Sequence, residues 1–313
     1  MTPTIKIVDI AHVRFSAPDL TEMRVFLEDF GLSCFELSGR LYGKGSDGRP
    51  FLHATEQGDP AFRALGLRAE SVTDLDKLAT AEGVKVEALD DPGGGHVVRL
   101  KDPDGFLVEV VAGQEISGAA GVSKDVPHNN ADARPRLRKA IRLSQGPSHV
   151  MRLGHAVLNV SDFRSSEAWY KERFGFLTSD EIEMAPGTAM GAFMRCDRGD
   201  QPTDHHTLFL AQLPQPPCYL HAAFEVAHLD DLMLGHQHLK AKGRDQAWGV
   251  GRHIMGSQVF DYWRDPWGHE LEHWTDGDLF TAADPPNKMP FASLLAVQWG
   301  TPHPMMAGQA TSE

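Results

Sequence analysis

The chain has 313 residues, enough for two domains that each bury a core of their own. Thirty lysines and arginines stand against 43 aspartates and glutamates, a net charge of −13 with no basic run, so no nucleic-acid partner is expected. Cys34, Cys196 and Cys218 lack CxxC spacing, the amino terminus has no signal pattern and no apolar run is long enough for a bilayer; the expectation is a soluble, cytoplasmic protein with no disulfides and no membrane partner.

Residues 5–16 mix β-branched and alternating side chains and read as a strand. From Asp19 to Asp29 the apolar residues take helical spacing, with Asp19 as N-cap and Gly31 as stop. Short strands are predicted over 33–37, 41–44 and 51–55, separated by Gly and Asp turns. That makes one βαβββ unit. A second follows: strand 61–69, helix 72–81 ending near Gly83, and strands 84–89, 96–100 and 106–111. Between 112 and 148 the composition turns polar, with Gly, Asn, Pro and a short charged segment, and reads as a linker. The first pattern returns at Met151, with strand 153–160, helix 162–174 before Gly175, and strands near 177–184, 191–195 and 205–211. A fourth unit runs through strand 219–226, helix 229–241 and further strands to about His273. Beyond Asp278, Pro285, Pro286, Pro290 and Pro302 predict an irregular surface tail.

The strongest organisational signal is an internal repeat. His12 stands seven residues before Asp19, and His155 seven before Asp162, each ahead of a helix. Asp102-Pro103-Asp104-Gly105 through Glu109 matches Asp265-Pro266-Trp267-Gly268 through Glu272. The class is therefore α+β, with duplicated βαβββ modules, two to each domain, whose eight strands curl around a cleft. Sliding the helix start at Val72 onto that near His228 puts Ala64 opposite His221. The first domain then keeps His12 and Glu109 but lacks the second histidine, and two ligands hold a divalent ion weakly. His12 and Glu109 read as a residual hydrogen-bonded pair. The expected organisation is a non-catalytic pair of modules over 1–113, a linker over 114–148, a catalytic pair over 149–277 and the tail over 278–313.

The densest chemistry lies between Gly251 and Trp274. His253 sits in a polar, Gly-flanked loop and Tyr262 in an alternating run; a tight Asp265–Gly268 turn then leads into a strand with Glu270 and Glu272. Those two carboxylates share a face because strand side chains alternate, so alternation does not choose between them. The match to Glu109 favours Glu272. His155 and His221 lie on strand-like runs that converge on this strand. Either histidine alone is more often a satisfied core residue; with Glu272 the set points to a metal. Two histidines and one carboxylate on one side of an octahedral ion leave open positions for a bidentate substrate and O2, as in non-haem Fe(II) oxygenases. The same donors suit Mn(II), Zn(II) or Ni(II), so the set alone leaves the metal open. His205 and His206 adjoin on a predicted strand and point to opposite faces, so one of them lines the cleft. Of the sixteen histidines, His128, His236, His238 and His303 lie in polar or loop contexts and read as surface or structural.

Roughly over residues 5–280, the chain resembles the type I extradiol catechol dioxygenases of the vicinal oxygen chelate (glyoxalase-like) superfamily in their two-domain form. His155 in LGHAVLNV, His221 in YLHAAFEV and Glu272 in DPWGHELEHW match the three metal ligands. His206, fifteen residues before His221, matches the acid–base histidine. His253 in GRH matches the histidine that bonds a substrate hydroxyl, and Tyr262, ten residues before Glu272, the tyrosine beside the bound substrate oxygen. One residue departs: Asp261 stands where the family usually has an apolar side chain. It is expected to face away from Tyr262 and to pair with a neighbour such as Arg264.

The resemblance implies Fe(II), with Mn(II) as the other candidate, O2 as co-substrate, a small catecholic substrate, a muconic semialdehyde-type product and a homo-oligomeric assembly. The Met-rich segment from Glu183 to Arg195, with Trp248 and the tail, predicts a pocket for an apolar ring substituent. The expected substrate is a hydrophobic substituted catechol from aromatic degradation. Two alternatives keep the fold. A metal-dependent glyoxalase-like isomerase or transferase has no need of His206, His253 and Tyr262 together. An aromatic-binding protein has no need of an intact triad.

Overall fold

The computed structural model describes residues 2–120 and 127–304; Met1, positions 121–126 of the predicted linker and 305–313 of the predicted tail lie outside the described residues. The helices stand where the sequence places them because each supplies its own start. Asp19 accepts the backbone N–H of Thr21 and Glu22 ahead of Leu20–Phe30, and Asp162 accepts that of Ser165 ahead of Phe163–Phe174. Such caps contribute about 1 kcal/mol each. Gly31 ends the first helix with φ +106°, and a Cβ there would lie 2.1 Å from the carbonyl oxygen of Ser148. Only glycine meets both conditions. Val72–Glu82 and Leu229–Ala241 complete the four long helices among the described residues.

Each half is built on one large sheet from two modules, and the second half adds a two-stranded ribbon of Thr203–Asp204 with Leu279–Phe280. In the first, Ile7–Ala17 pairs antiparallel with Ala61–Ala69 at the centre. The full order is Ser33–Leu37, Arg40–Lys44, His53–Gln57, Ile7–Ala17, Ala61–Ala69, Leu107–Ala112, His96–Lys101, Glu87–Ala88. In the second half Val150–Asn159 and Cys218–Val226 form the matching central pair. Outward from Val150–Asn159 come Leu208–Ala211, Thr188–Arg195 and Leu177–Ala185; outward from Cys218–Val226 come Glu270–Thr275, Val259–Arg264 and Asp245–His253.

Four expectations are corrected. The strand predicted over 84–89 is confined to Glu87–Ala88, because the following chain turns through Gly93, Gly94 and Gly95, all at positive φ. The strand predicted over 205–211 begins only at Leu208, because the His205 N–H bonds to Asp278 O and leaves the ladder. His253 is not in a loop but ends the strand Asp245–His253. The tail is not irregular. Asn287–Pro290 joins one edge of the second sheet beside Leu177–Ala185, and Val297–Gly300 joins the other beside Asp245–His253. Its prolines fall at element ends, where no ladder hydrogen bond is lost. The short helix Phe291–Leu294 lies between the two, so the tail crosses the mouth of the second sheet.

One apolar core runs through both halves. Phe30 stacks on His273 at 3.8 Å, and His273 Nε2 donates to Phe30 O at 2.7 Å. His273 and Glu272 point to opposite faces of their strand. The contact with the first half's helix therefore pins, from behind, the strand that presents Glu272 to the cleft.

Candidate metal centre

Strand register assembles the centre. His155 pairs with Ala223, Ala223 with Glu272, and Glu272 with Tyr262, which makes one row across four strands. Val157, His221, Glu270 and Arg264 form the next row on the same face. Ala223 is small, so His155 and Glu272 reach toward each other above it, and His221 closes the triangle from the adjoining row. The phase of the last strand is set by its turn. Asp265 Oδ1 accepts the N–H of Trp267 at 2.8 Å and of His269 at 2.9 Å, with Gly268 at φ +90°.

His155 Nε2 lies 3.2 Å and His221 Nε2 3.4 Å from Glu272 Oε2, and one donor atom from each of the three residues lies within 4.8 Å of the others. His155 and Glu272 are 1% and 0% exposed, so neither lies at the outer surface of the protein. Neither Glu272 oxygen has a hydrogen bond within the protein, and His155 Nδ1 also lacks one. Burial opposes ionisation of Glu272, but the surrounding imidazoles outweigh it and hold its pKa well below the usual carboxylate range. Burial lowers the pKa of His155, so it stands as a neutral imidazole with a lone pair to give. A buried, donor-less carboxylate facing two imidazole nitrogens is costly as it stands and fits a divalent cation. Glu270 does not share this position; it pairs with Arg264 at 3.0 Å and is partly exposed.

A cavity of about 430 Å³, lined by His155 and His221, opens beside Glu272. His206, His253 and Tyr262 all line it. His253 Nε2 lies 3.0 Å from the Tyr262 hydroxyl and 3.7 Å from Glu272 Oε1. The Tyr262 pKa is raised well above its ordinary value by burial and by Glu272, so the phenol keeps its proton. The His206 ring packs 3.9 Å from that of His155, and burial with neighbouring imidazoles keeps it neutral. His205 does not line the cavity. It turns to Asp180, with Nε2 at 2.7 Å from Oδ2. The two adjacent histidines thus take different surroundings because they lie off the ladder, not because strand alternation separates them.

Of the Met-rich segment, Phe193 reaches the cavity and Met190 the apolar cluster beside it, while Met184 is exposed and Met194 belongs to the main core. Trp248 lines the cavity as expected. Asp261 faces away from the centre but pairs with His236, Gln246 and the Trp263 indole rather than with Arg264, which is taken by Glu270 and Asp245. His303, read as a surface residue, lines the cavity with Ser293, Leu294, Leu295 and Pro304 of the tail. Trp248 Nε1 donates to Thr301 O at 2.7 Å and holds that segment in place. The tail thus contributes to the pocket as expected, but which of its residues reach the cavity is set by its closure across the sheet. Among the described residues no helix is long and apolar enough to cross a membrane.

Residues 152–273 match the profile of the Glyoxalase/Bleomycin resistance protein/Dioxygenase superfamily. Over 304 residues the chain is 28% identical to metapyrocatechase 2 of Cupriavidus necator, covering 95% of this chain and 90% of that protein. It is 24% identical over 298 residues to an iron-dependent extradiol dioxygenase of Rhodococcus jostii, covering 87% and 90%. Among solved structures, the Mn(II)-bound glyoxalase from Novosphingobium aromaticivorans superposes with a TM-score of 0.77 at 24% identity, covering 96% of this chain and 93% of that one. At that identity the likeness is one of fold.

Proposed function

With residues 152–273 a domain of the Glyoxalase/Bleomycin resistance protein/Dioxygenase superfamily and the whole chain a relative of two-domain extradiol dioxygenases, we propose that this protein opens the ring of a hydrophobic substituted catechol beside its diol, inserting both atoms of O2. The observation that carries the reading is the buried carboxylate of Glu272, without a hydrogen-bond donor, set against the Nε2 atoms of His155 and His221. These three residues would hold the metal, Fe(II) foremost and Mn(II) as the alternative. When bound, it would supply the positive charge that lowers the pKa of a chelating catechol hydroxyl and a place for O2 beside the ring.

The chain's own residues do the rest. Val157, Phe193, Phe209, Leu220, Met255 and Leu294 enclose the ring and its substituent and exclude water. His253 and Tyr262 orient the diol oxygens, with Tyr262 as a phenol that donates. His206, neutral, takes up a hydroxyl proton and returns it to oxygen as the ring opens to a muconic semialdehyde-type product. The isomerase alternative is not favoured, since two relatives that span most of the chain are named a metapyrocatechase and an iron-dependent extradiol dioxygenase. Three free cysteines fit a reducing compartment, and the reading is completed by a cytoplasmic homo-oligomer.

The test is anaerobic reconstitution with Fe(II), followed by air and 3-phenylcatechol. A yellow ring-fission product that depends on both iron and oxygen is expected. No colour and no oxygen uptake, with simpler catechols and with Mn(II) as well, would overturn the assignment.

A further inference from the structure

Which nitrogen of His206 carries the proton is decided outside the cavity. His206 Nδ1 lies 3.0 Å from His205 Nδ1, and His205 Nε2 lies 2.7 Å from Asp180 Oδ2. All three side chains are buried, at 4%, 1% and 6% exposure, so water does not settle their protons. Two Nδ1 atoms at this distance share one hydrogen: two lone pairs repel and two N–H groups clash. An ionised carboxylate only accepts. Burial works against ionising Asp180, yet the His205 hydrogen bond and its other partners bring its pKa below the ordinary carboxylate value. His205, when neutral, therefore carries its proton on Nε2 and offers a bare Nδ1. The shared hydrogen then belongs to His206 Nδ1, and His206 Nε2 is left bare for the cavity that His206 lines.

The surroundings hold this chain of contacts rigid. Ser179 Oγ donates to His205 O at 2.6 Å, and buried Arg195 donates to Ser179 Oγ at 3.0 Å. Phe193 and Phe280 flank the His205 ring, each at 5.3 Å. A Cβ on Gly256 would lie 2.9 Å from His205 Nδ1, so the ring fits only because that residue is glycine.

We propose that Asp180 and His205 are positioning residues that fix His206 as its Nδ1–H tautomer, so that Nε2 meets the substrate as a proton acceptor. His206 then accepts a proton before it donates one. The consequence for turnover rests on the ring-cleaving reading of the site; the tautomer does not.

The test is nitrogen-15 spectroscopy of histidine-labelled full-length protein loaded with diamagnetic Zn(II), the His206 signal being identified by its loss in His206→Gln. The expected result is a protonated Nδ1 and a bare Nε2. In His205→Phe, which keeps the ring but offers no acceptor, the His206 proton shifts toward Nε2. The kcat of the Fe(II)-loaded variant toward 3-phenylcatechol falls by about tenfold or more, with KM within about twofold. His205→Gln, whose amide oxygen accepts the same hydrogen, restores most of the rate. A proton on Nε2 in the unmodified protein, or an unchanged tautomer in His205→Phe, overturns the proposal. Should His205→Phe fail to fold, the spectrum of the unmodified protein decides alone. Failure of all catechol turnover with the expected tautomer would sink the ring-cleaving reading and leave the tautomer assignment standing.

Discussion

Glu109 and Glu272 hold the same place in the two halves, and the atoms around them differ. Each follows an Asp-Pro-x-Gly turn, each is buried, and each faces a histidine from the central strand, His12 Nε2 at 2.8 Å and His155 Nε2 at 3.2 Å. Where register places Val157, His221 and Tyr262 in the second half, it places Arg14, Ala64 and Arg99 in the first. Arg14 Nε bonds Glu109 at 2.5 Å and Arg99 Nε bonds it at 2.9 Å, while Asp91 binds Arg14 and the Tyr42 hydroxyl. Burial disfavours the charge on Glu109, but His12 and Arg14 outweigh it and push its pKa far down. Gly66 takes the position of Ala223, and a Cβ there would lie 2.6 Å from the His12 ring, so the ring settles onto the sheet. A buried carboxylate requires a counter-charge. The first half builds it in as guanidinium; the second leaves two imidazoles and an unsatisfied pair of oxygens that suit a cation from outside.

Glu272→Gln breaks the comparison most severely. It removes the charge but not the shape, so metal content by elemental analysis should fall to background and turnover with it. Stoichiometric metal in this variant would refute the centre. Val157→Arg sharpens it by moving the first half's device into the second. The new guanidinium should land on Glu272 as Arg14 does on Glu109. The chain should fold, with metal content and ring cleavage both lost; a metal-replete, active Val157→Arg enzyme would show that register alone does not carry the analogy. Arg14→Ala tests the first half. It removes one of two guanidinium partners from Glu109 and leaves Asp91 with Tyr42 and Arg40, and should cost about 1–3 kcal/mol in urea unfolding, while metal content and kcat of the folded protein stay unchanged.

The smallest effect concerns the first of the two matching turns. Asp102 accepts the N–H of Asp104 and Phe106 and meets the Tyr170 hydroxyl at 3.1 Å, and burial pushes its pKa up to about 6. Because the folded value exceeds the unfolded one of 3.8, its contribution to stability is full below pH 3.8 and is lost as pH rises through about 6. Asp102→Asn carries no charge to bury. Relative to the unmodified protein it should gain about 1–3 kcal/mol between pH 4 and pH 7. Parallel urea melts at the two pH values check this, and an unchanged difference would show that Asp102 is not the titrating group.

Much of the architecture was legible because its signals are local. Asp19, Asp162, Gly31 and Gly175 delimit helices through hydrogen bonds and φ angles that span a few residues. The strand Ser33–Leu37 and the helix Leu229–Ala241 lie where periodicity put them. Errors fell where a distant segment competes for the backbone. His205 bonds to Asp278 instead of continuing a ladder, and the proline-rich tail finds two free sheet edges.

The candidate centre divides in the same way. Residue type, the seven-residue spacing ahead of each helix and the duplicated turn single out His155, His221 and Glu272 from sequence alone, because a repeat preserves the phase of alternating strands. Alternation left Glu270 beside Glu272 and His205 beside His206. Tertiary structure separates them: Arg264 takes Glu270 and Asp180 takes His205, while Glu272 meets His155 and His221 and His206 lines the cavity. It also selects His303 and Leu294 as the residues that the tail brings to the cavity wall. The physical reason is that donors and acceptors within one strand are ordered by the chain, whereas the partner that neutralises or occupies a side chain comes from elements far along it and is known only once they have packed.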